Sequence, residues 1–245
     1  MTKKALIIGF NYRGTRCPLQ GCWNDVRNIY NFLSSRGYSK TNIQTLIDIN
    51  EIHGKDKVIE RMIDFMEKVE PGDQVFFHFS GHGGQLPDEG GEIDEKDGFD
   101  ECIYADDLEP IRDDDLNQIL IGCLPEGATL IAILDCCHSG SGLDLRYIYS
   151  KYGPKEENKK EVNRKVICIS ACEDYDTAAD TSYVTNGKRI PQGALTHNFI
   201  EAIEKYHSQK WYEIVNQITI NTKGYHQIAQ LSTSAKDGSQ WPVEI

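Results

Sequence analysis

Five short stretches of nearly continuous apolar residues occur along the chain, and each predicts a strand that is buried on both faces. They are Lys4–Phe10, Ile43–Asp48, Gln74–Ser80, Thr129–Leu134 and Lys165–Ser170. Elsewhere apolar residues recur at helical spacing, which predicts helices. These helices are Cys22–Ser35, Lys57–Val69, Asp113–Ile121, Ala194–Tyr206 and Trp211–Thr222. Gln240–Ile245 is expected to form a last strand.

The alternation of predicted strands and helices indicates an α/β fold with a mostly parallel sheet flanked by helices on both faces. A chain of 245 residues fits one large domain of this kind. The segment Lys151–Lys165 is rich in Lys, Glu, Asn and Pro and lacks an apolar period, so we expect an exposed linker there. It would divide a large portion, residues 1–150, from a small portion, residues 166–245.

The net charge of -12 is concentrated in one segment, because residues 88–115 hold fourteen Asp and Glu residues against Lys96 and Arg112. Such a segment either forms a solvated loop or gathers cations. An acidic chain argues against a nucleic-acid partner. No apolar run approaches the roughly 18 residues of a membrane span, and the first residues do not resemble a signal peptide. We therefore expect a cytoplasmic protein that binds neither membrane nor nucleic acid.

Two of the predicted strands run into unusual sequences. Gln74–Ser80 is followed by GHGG, which contains His82, and Thr129–Leu134 is followed by DCCHSG, which contains Cys137. Sites in open parallel sheets form beyond the carboxyl ends of the strands. His82 and Cys137 are therefore expected to face one another across neighbouring strand ends.

This pair has a chemical logic. A thiol becomes a strong nucleophile when a nearby imidazole favours the thiolate, and the same imidazole then protonates a leaving amine. The backbone amides of Gly83 and Cys137 are suitable donors to a developing oxyanion. His138 is a rival base, although side chains of adjacent residues usually diverge. Alternatively, each residue taken singly is a structural Cys or His.

The sequences FSGHGGQ and DCCHSGSGLDL lead to a family, because with them the chain resembles the metacaspases of the caspase-like clan. The matching stretches are Ala5–Asn11, residues 21–25, Phe76–Gly83, Phe99–Ile103, Ile111–Leu116, Asp135–Leu145, Ser170–Asp180 and Gly193–Ile203. The resemblance implies a caspase-like fold, with a large p20-like portion and a small p10-like portion. It also implies a His82/Cys137 dyad, cleavage after Arg or Lys, activation by calcium and a monomeric enzyme. We expect no N-terminal prodomain.

The resemblance further implies that Asp25, Ser80 and Asp135 line the pocket for the P1 side chain of the substrate. Two carboxylates in one pocket would attract a guanidinium or ammonium group and reject a carboxylate. Alternatively, Asp25 caps the start of a helix and Asp135 holds the loop that follows it.

Four acidic residues fall where metacaspases bind calcium, namely Asp100, Asp113, Asp114 and Asp144. Clustered carboxylates suit a hard cation such as Ca²⁺. The alternative is a solvated acidic loop, the commoner meaning of a run of charge. The role of the acidic stretch Asp88–Lys96 stays open.

These features favour a calcium-activated cysteine endopeptidase that acts on proteins or peptides with Arg or Lys at P1. One alternative is a catalytically silent scaffold with the same fold that acts by binding. Another is an enzyme that cuts after Asp, and the carboxylates of Asp25 and Asp135 speak against it. Basic residues crowd the predicted linker, so a basic-specific enzyme is expected to cleave itself there.

Overall fold

The computed structural model describes residues 1–87, 99–136, 143–150, 153–156, 162–173, 181–185, 188–205, 210–223 and 227–245. The strands are β1 (Lys3–Gly9), β2 (Ile43–Ile47), β3 (Gln74–Ser80), β4 (Gly83–Pro87), β5 (Phe99–Tyr104), β6 (Pro110–Arg112), β7 (Thr129–Asp135), β8 (Tyr147–Ser150), β9 (Gly153–Glu156), β10 (Lys165–Glu173), β11 (Thr181–Thr185), β12 (Lys188–Gln192) and β13 (Gln227–Thr233). The helices are α1 (Cys22–Ser35), α2 (Lys55–Met66), α3 (Asp113–Asn117), α4 (Ala194–Lys205) and α5 (Trp211–Thr222).

Eight strands form a central sheet in the order β2-β1-β3-β7-β10-β13-β8-β9. The first five of these pair in parallel, whereas β13 lies antiparallel on β10 and the β8–β9 hairpin completes that edge. A three-stranded antiparallel sheet, β4-β5-β6, and the β11–β12 hairpin lie outside it. The predicted mostly parallel sheet is thereby confirmed.

Hydrophobic residues pack on both faces of the sheet. Along β1, Leu6 and Ile8 belong to one core, and Ala5 and Ile7 belong to the other, because successive strand residues point to opposite faces. Buried residues of α2 and α3 fill the first core, and those of α1, α4 and α5 fill the second. The predicted helices on both faces are confirmed, and none of the described helices is long and apolar enough to cross a membrane.

Several local predictions differ from the structure. The helix predicted over Asp113–Ile121 is α-helical only to Asn117, and Gln118–Gly122 forms a π-helical turn. Gln240–Ile245 is not a strand, since a helical turn over Gly238–Gln240 leads into an irregular end where Pro242 makes only an isolated bridge. Proline has no amide hydrogen to donate to a strand ladder. Within the predicted linker, Gly153–Glu156 forms a strand of the central sheet, while residues 151–152 and 157–161 lie outside the described residues.

Candidate active site

His82 lies two residues beyond the end of β3 and directly before β4, and it is half-buried. Its Nε2 atom is 2.7 Å from the carbonyl oxygen of Cys17. A carbonyl oxygen only accepts hydrogen bonds, so Nε2 carries the hydrogen and donates it. The lone pair of the neutral imidazole therefore resides on Nδ1, which leaves that atom to act as a base.

Tyr12 contacts His82 through both its ring and its hydroxyl group. The two ring centroids are 4.6 Å apart, and the Tyr12 side chain is fully buried. The Tyr12 hydroxyl accepts a hydrogen bond from the amide of His82 at 2.9 Å and donates one to the carbonyl of Tyr104 at 2.8 Å. Tyr12 itself has a φ of 50°, a conformation that costs energy for a bulky residue and often occurs at functional sites. The contacts fix the backbone that carries the imidazole.

The amide of Gly83 is presented beside this histidine. Gly83 opens β4 opposite Ile103 of β5, and the amide of Tyr104 donates to the carbonyl of His82 at 3.0 Å. Hydrogen-bonded and non-hydrogen-bonded pairs alternate along an antiparallel ladder. The Gly83 amide consequently points away from β5, and its role as an oxyanion donor stays a prediction.

Cys137, the predicted nucleophile, and His138, its rival base, lie outside the described residues. The described chain reaches that point along β7, where Asp135 pairs with Ser80 at the end of β3. The amide of Gly81 also donates to the carbonyl of Asp135 at 3.3 Å. The segments that lead into His82 and Cys137 therefore run side by side, and the dyad stays a prediction.

The three predicted pocket residues come together at the carboxyl ends of β3 and β7. The hydroxyl of Ser80 donates to Oδ2 of Asp25 at 2.7 Å, and Asp25 is fully buried in the first turn of α1. The amide of Gly193 donates to both carboxylate oxygens of Asp25, at 3.0 and 2.9 Å. Asp135 accepts from the amide of Thr196 at 2.7 Å.

Gly193 connects the two carboxylates. A Cβ atom built on Gly193 would lie 2.1 Å from Oδ2 of Asp135 and 2.9 Å from Oδ2 of Asp25. Any side chain at this position would displace one carboxylate or the backbone. The sequence pattern assigned no role to Gly193, although it opens the matching stretch Gly193–Ile203.

The charge on Asp135 is governed by two opposing effects. Burial is the larger and raises the pKa of this carboxyl group, because it disfavours the ionised form. Hydrogen bonds from the hydroxyl and amide of Thr196, and from the amide of Leu195, lower the pKa again. Asp135, one of the predicted pocket residues, is thus a buried carboxyl group whose ionised form depends on donors at the start of α4.

An acidic group is formed by residues of β5, the first turn of α3 and the chain after the Cys137 segment. Carboxylate oxygens of Glu101, Asp113 and Asp144 all lie within 4.8 Å of one another. Two oxygens bound to one calcium ion are at most about 5 Å apart, since each bond is about 2.4 Å long. The donor type and the spacing therefore fit a hard cation. This group brings β5 and the first turn of α3 against the chain that follows the Cys137 segment.

The structural group differs from the four residues expected from the sequence. It contains Asp113 and Asp144 but not Asp100 or Asp114, and it includes Glu101, which the sequence did not suggest. Asp100 instead forms an ion pair with Arg112. Adjacent residues of β5 point to opposite faces, so Asp100 and Glu101 cannot both face the same group. The stretch Asp88–Lys96 lies outside the described residues.

Comparisons with known proteins agree with this architecture. In structure, the chain is similar to a protein from Geobacter sulfurreducens, with a TM-score of 0.66, 21% identity, and coverage of 96% of this chain and 94% of that one. In sequence, it is 36% identical over 290 residues to Metacaspase-1 of Cryptococcus neoformans var. neoformans serotype D, a match that covers 95% of this chain and 62% of that protein. It is 34% identical to Metacaspase-1 of Candida glabrata, covering 95% of this chain and 72% of the relative.

A family model described as "Metacaspase, peptidase C14 domain" matches residues 3–146, which is more than half of the chain. That range includes β1 to β7 and His82. Together with the sheet order and the structural neighbour, it confirms the caspase-like fold. The chain therefore belongs to the metacaspase family and carries its peptidase C14 domain.

Proposed function

We propose that this chain is a calcium-activated cysteine endopeptidase that cleaves proteins or peptides after Arg or Lys. The observation that carries the proposal is the convergence of two buried carboxylates, Asp25 and Asp135. They meet at the carboxyl ends of β3 and β7, where His82 follows β3. Such a pocket favours a guanidinium or ammonium group and disfavours a substrate Asp.

The reaction would use the two predicted catalytic residues in successive steps. Nδ1 of His82 takes the thiol proton of Cys137, and the sulfur attacks the peptide carbonyl carbon. The amides of Gly83 and Cys137 donate to the oxyanion. The amine then leaves with the proton from His82, and water, activated by the same imidazole, hydrolyses the thioester and restores the thiol.

The surrounding contacts support this role for His82. The carbonyl of Cys17 holds the hydrogen on Nε2 and also stabilises the imidazolium that forms during the reaction. Tyr12 fixes the backbone on the other side of the ring. The imidazole is thereby kept in one tautomer and one orientation before substrate arrives.

Calcium would be held by Glu101, Asp113 and Asp144, whose oxygens have the spacing that the ion requires. Bound there, it supplies positive charge that offsets repulsion among the three carboxylates. Those carboxylates would then keep β5, α3 and residues 143–150 in one arrangement, next to the Cys137 segment. A monomeric state, a cytoplasmic location and self-cleavage in the predicted linker stay predictions.

One assay tests the proposed function. The substrates are fluorogenic peptides that differ only in having Arg, Lys or Asp at P1. The Arg and Lys peptides should be cleaved well, but only with calcium, and cleavage of the Asp peptide should be undetectable. A silent scaffold would cleave none of the three, and an Asp-specific enzyme would reverse the order.

Replacing Tyr12 with Phe should lower kcat while leaving KM nearly unchanged. The substitution removes the acceptor for the amide of His82, and a lost hydrogen bond of this kind costs about 1 kcal/mol, or roughly fivefold in rate. Steady-state kinetics on an Arg peptide measure the effect. Tyr38→Phe is the control, because it removes a buried hydroxyl that contacts Gln74. Equal kcat values for the two variants would contradict the role of Tyr12.

Asp25→Asn and Asp135→Asn should each raise KM for Arg and Lys peptides. Each removes a charge-assisted contact, and we expect kcat/KM to fall roughly ten- to a hundredfold. The measurement is the ratio of kcat/KM for Arg and norleucine peptides. Asp106→Asn is the matched control, since Asp106 is a buried carboxylate that accepts from the amides of His53 and Gly54. A ratio unchanged in both pocket variants would place the P1 pocket elsewhere.

A further inference from the structure

His78 lies in the middle of β3, and its side chain is fully buried. It is two residues before Ser80, so the two side chains point to the same face of the strand. Its Nε2 atom is 2.9 Å from Oγ1 of Thr196, near the start of α4. Burial lowers the pKa of His78 to about 3, so the ring is neutral at ordinary pH.

The hydrogen bonds around this ring decide its tautomer. Nδ1 of His78 is buried and makes no hydrogen bond within the described part of the chain. A hydrogen on Nδ1 would be a buried donor without an acceptor, which is costly. A hydrogen on Nε2 is donated to Thr196, and the Thr196 hydroxyl then keeps its own hydrogen for another acceptor.

Asp135 is the acceptor within reach. The amide of Thr196 donates to Oδ2 of Asp135 at 2.7 Å, so the side chain of the same residue lies beside this carboxylate. A bond from its hydroxyl is among the effects that lower the pKa of the carboxyl group. A hydrogen bond to an ionised oxygen is stronger than one between neutral groups. The tautomer with hydrogen on Nε2 is therefore favoured for a second reason. It leaves the hydroxyl hydrogen of Thr196 available for a charge-assisted bond to the ionised form of Asp135.

We propose that His78 is a positioning residue for the P1 pocket: by donating from Nε2 to Oγ1 of Thr196, it directs the Thr196 hydroxyl hydrogen to Asp135 and so orients the carboxylate that meets the basic side chain. The inference rests on the proposed Arg/Lys specificity. It assigns a function to a histidine that takes no part in the proposed chemical steps.

The pH dependence follows from the groups that face Asp135. These are Asp25 from α1, Ser80 and the neutral His78 from β3, Gly193, and the donors at the start of α4. Without the Thr196 hydroxyl, the pKa of Asp135 rises, because one of the hydrogen bonds that lower it is lost. A larger fraction is then protonated at acidic pH, and the acidic limb of the kcat/KM profile moves to higher pH.

Kinetics on the calcium-loaded enzyme test the chain of hydrogen bonds. For Thr196→Val and His78→Leu, we expect kcat/KM for Arg peptides to fall roughly tenfold, mainly through KM, and the acidic limb to move upward. The double variant should be no worse than either single one, because both act through the same hydroxyl. His78→Gln, whose amide keeps a donor in reach of Thr196, should restore KM. Thr222→Val, which removes another buried helix hydroxyl, should have wild-type values.

Nitrogen NMR of the wild-type protein tests the tautomer without any activity. Long-range ¹H–¹⁵N spectra should show His78 neutral with hydrogen on Nε2, and hydrogen on Nδ1 would overturn the proposal. Wild-type KM and pH profile in Thr196→Val would overturn it as well. If the wild type cleaves no Arg peptide, the proposed function fails, whereas the tautomer and a carboxyl ¹³C titration of Asp135 in Thr196→Val still decide whether these residues act in series.

Discussion

Replacing Cys137 with Ala should abolish cleavage of Arg peptides, and His82→Ala should lower kcat/KM by roughly a thousandfold or more. The thiolate forms the covalent bond to substrate, and the imidazole transfers its proton, so neither group works well without the other. Stopped assays at high enzyme concentration, with mass spectrometry of the product, measure the residual rate.

Two neighbouring substitutions serve as controls for the dyad. Cys136→Ala removes a buried thiol, and His138→Ala removes the rival base, so both should keep much of the activity. Wild-type turnover in Cys137→Ala would refute the nucleophile. A larger loss in His138→Ala than in His82→Ala would reassign the base.

Removing calcium with a chelator should lower kcat/KM roughly a hundredfold, since the site geometry would then be populated only a small part of the time. Glu101, Asp113 and Asp144 repel one another when no cation offsets their charge. Added Ca²⁺ should restore activity and Mg²⁺ should not, because three carboxylates from β5, α3 and the chain after the Cys137 segment suit the larger and less strict calcium shell. Activity against free-ion concentration gives both results.

Single substitutions distinguish the structural group from the residues expected from sequence. Asp113→Asn, Asp144→Asn and Glu101→Gln should each need much more calcium for half-maximal activity. Asp115→Asn, on the same short helix as Asp113, is the control of equal charge. If Asp100→Asn raises the calcium requirement and Glu101→Gln does not, the structural assignment is wrong. Full activity of the wild type in excess chelator would refute the calcium switch and leave the dyad untouched.

Continuous apolar runs made the parallel strands predictable, as with Gln74–Ser80, which the structure confirms to the residue. The same criterion missed β4, because Gly83–Pro87 is glycine-rich and polar and depends on pairing with β5. It also missed β13, whose Gln227–Thr233 mixes polar and apolar residues. These strands are stabilised by partners distant in the chain, which local patterns do not show.

In the candidate site, too, some features could be predicted from the sequence, and others depend on contacts between residues distant in the chain. The resemblance to the metacaspases implied that Ser80 and Asp135 would lie together, and the structure pairs them at the ends of neighbouring parallel strands. The carbonyl of Cys17 on His82 and the amide of Gly193 on Asp25 join residues 65 and 168 positions apart. Backbone groups of this kind carry no signature in the side-chain sequence, so only the folded chain reveals them.

Covalent labelling identifies the nucleophile and the P1 preference in one experiment. The calcium-loaded enzyme would be incubated with two acyloxymethyl ketone peptides that differ only in Arg or Asp at P1, then digested and mapped by mass spectrometry. We predict an adduct on Cys137 with the Arg reagent, none with the Asp reagent, and none in His82→Ala. An adduct on Cys17 or Cys136 instead, or equal labelling by the Asp reagent, would contradict it.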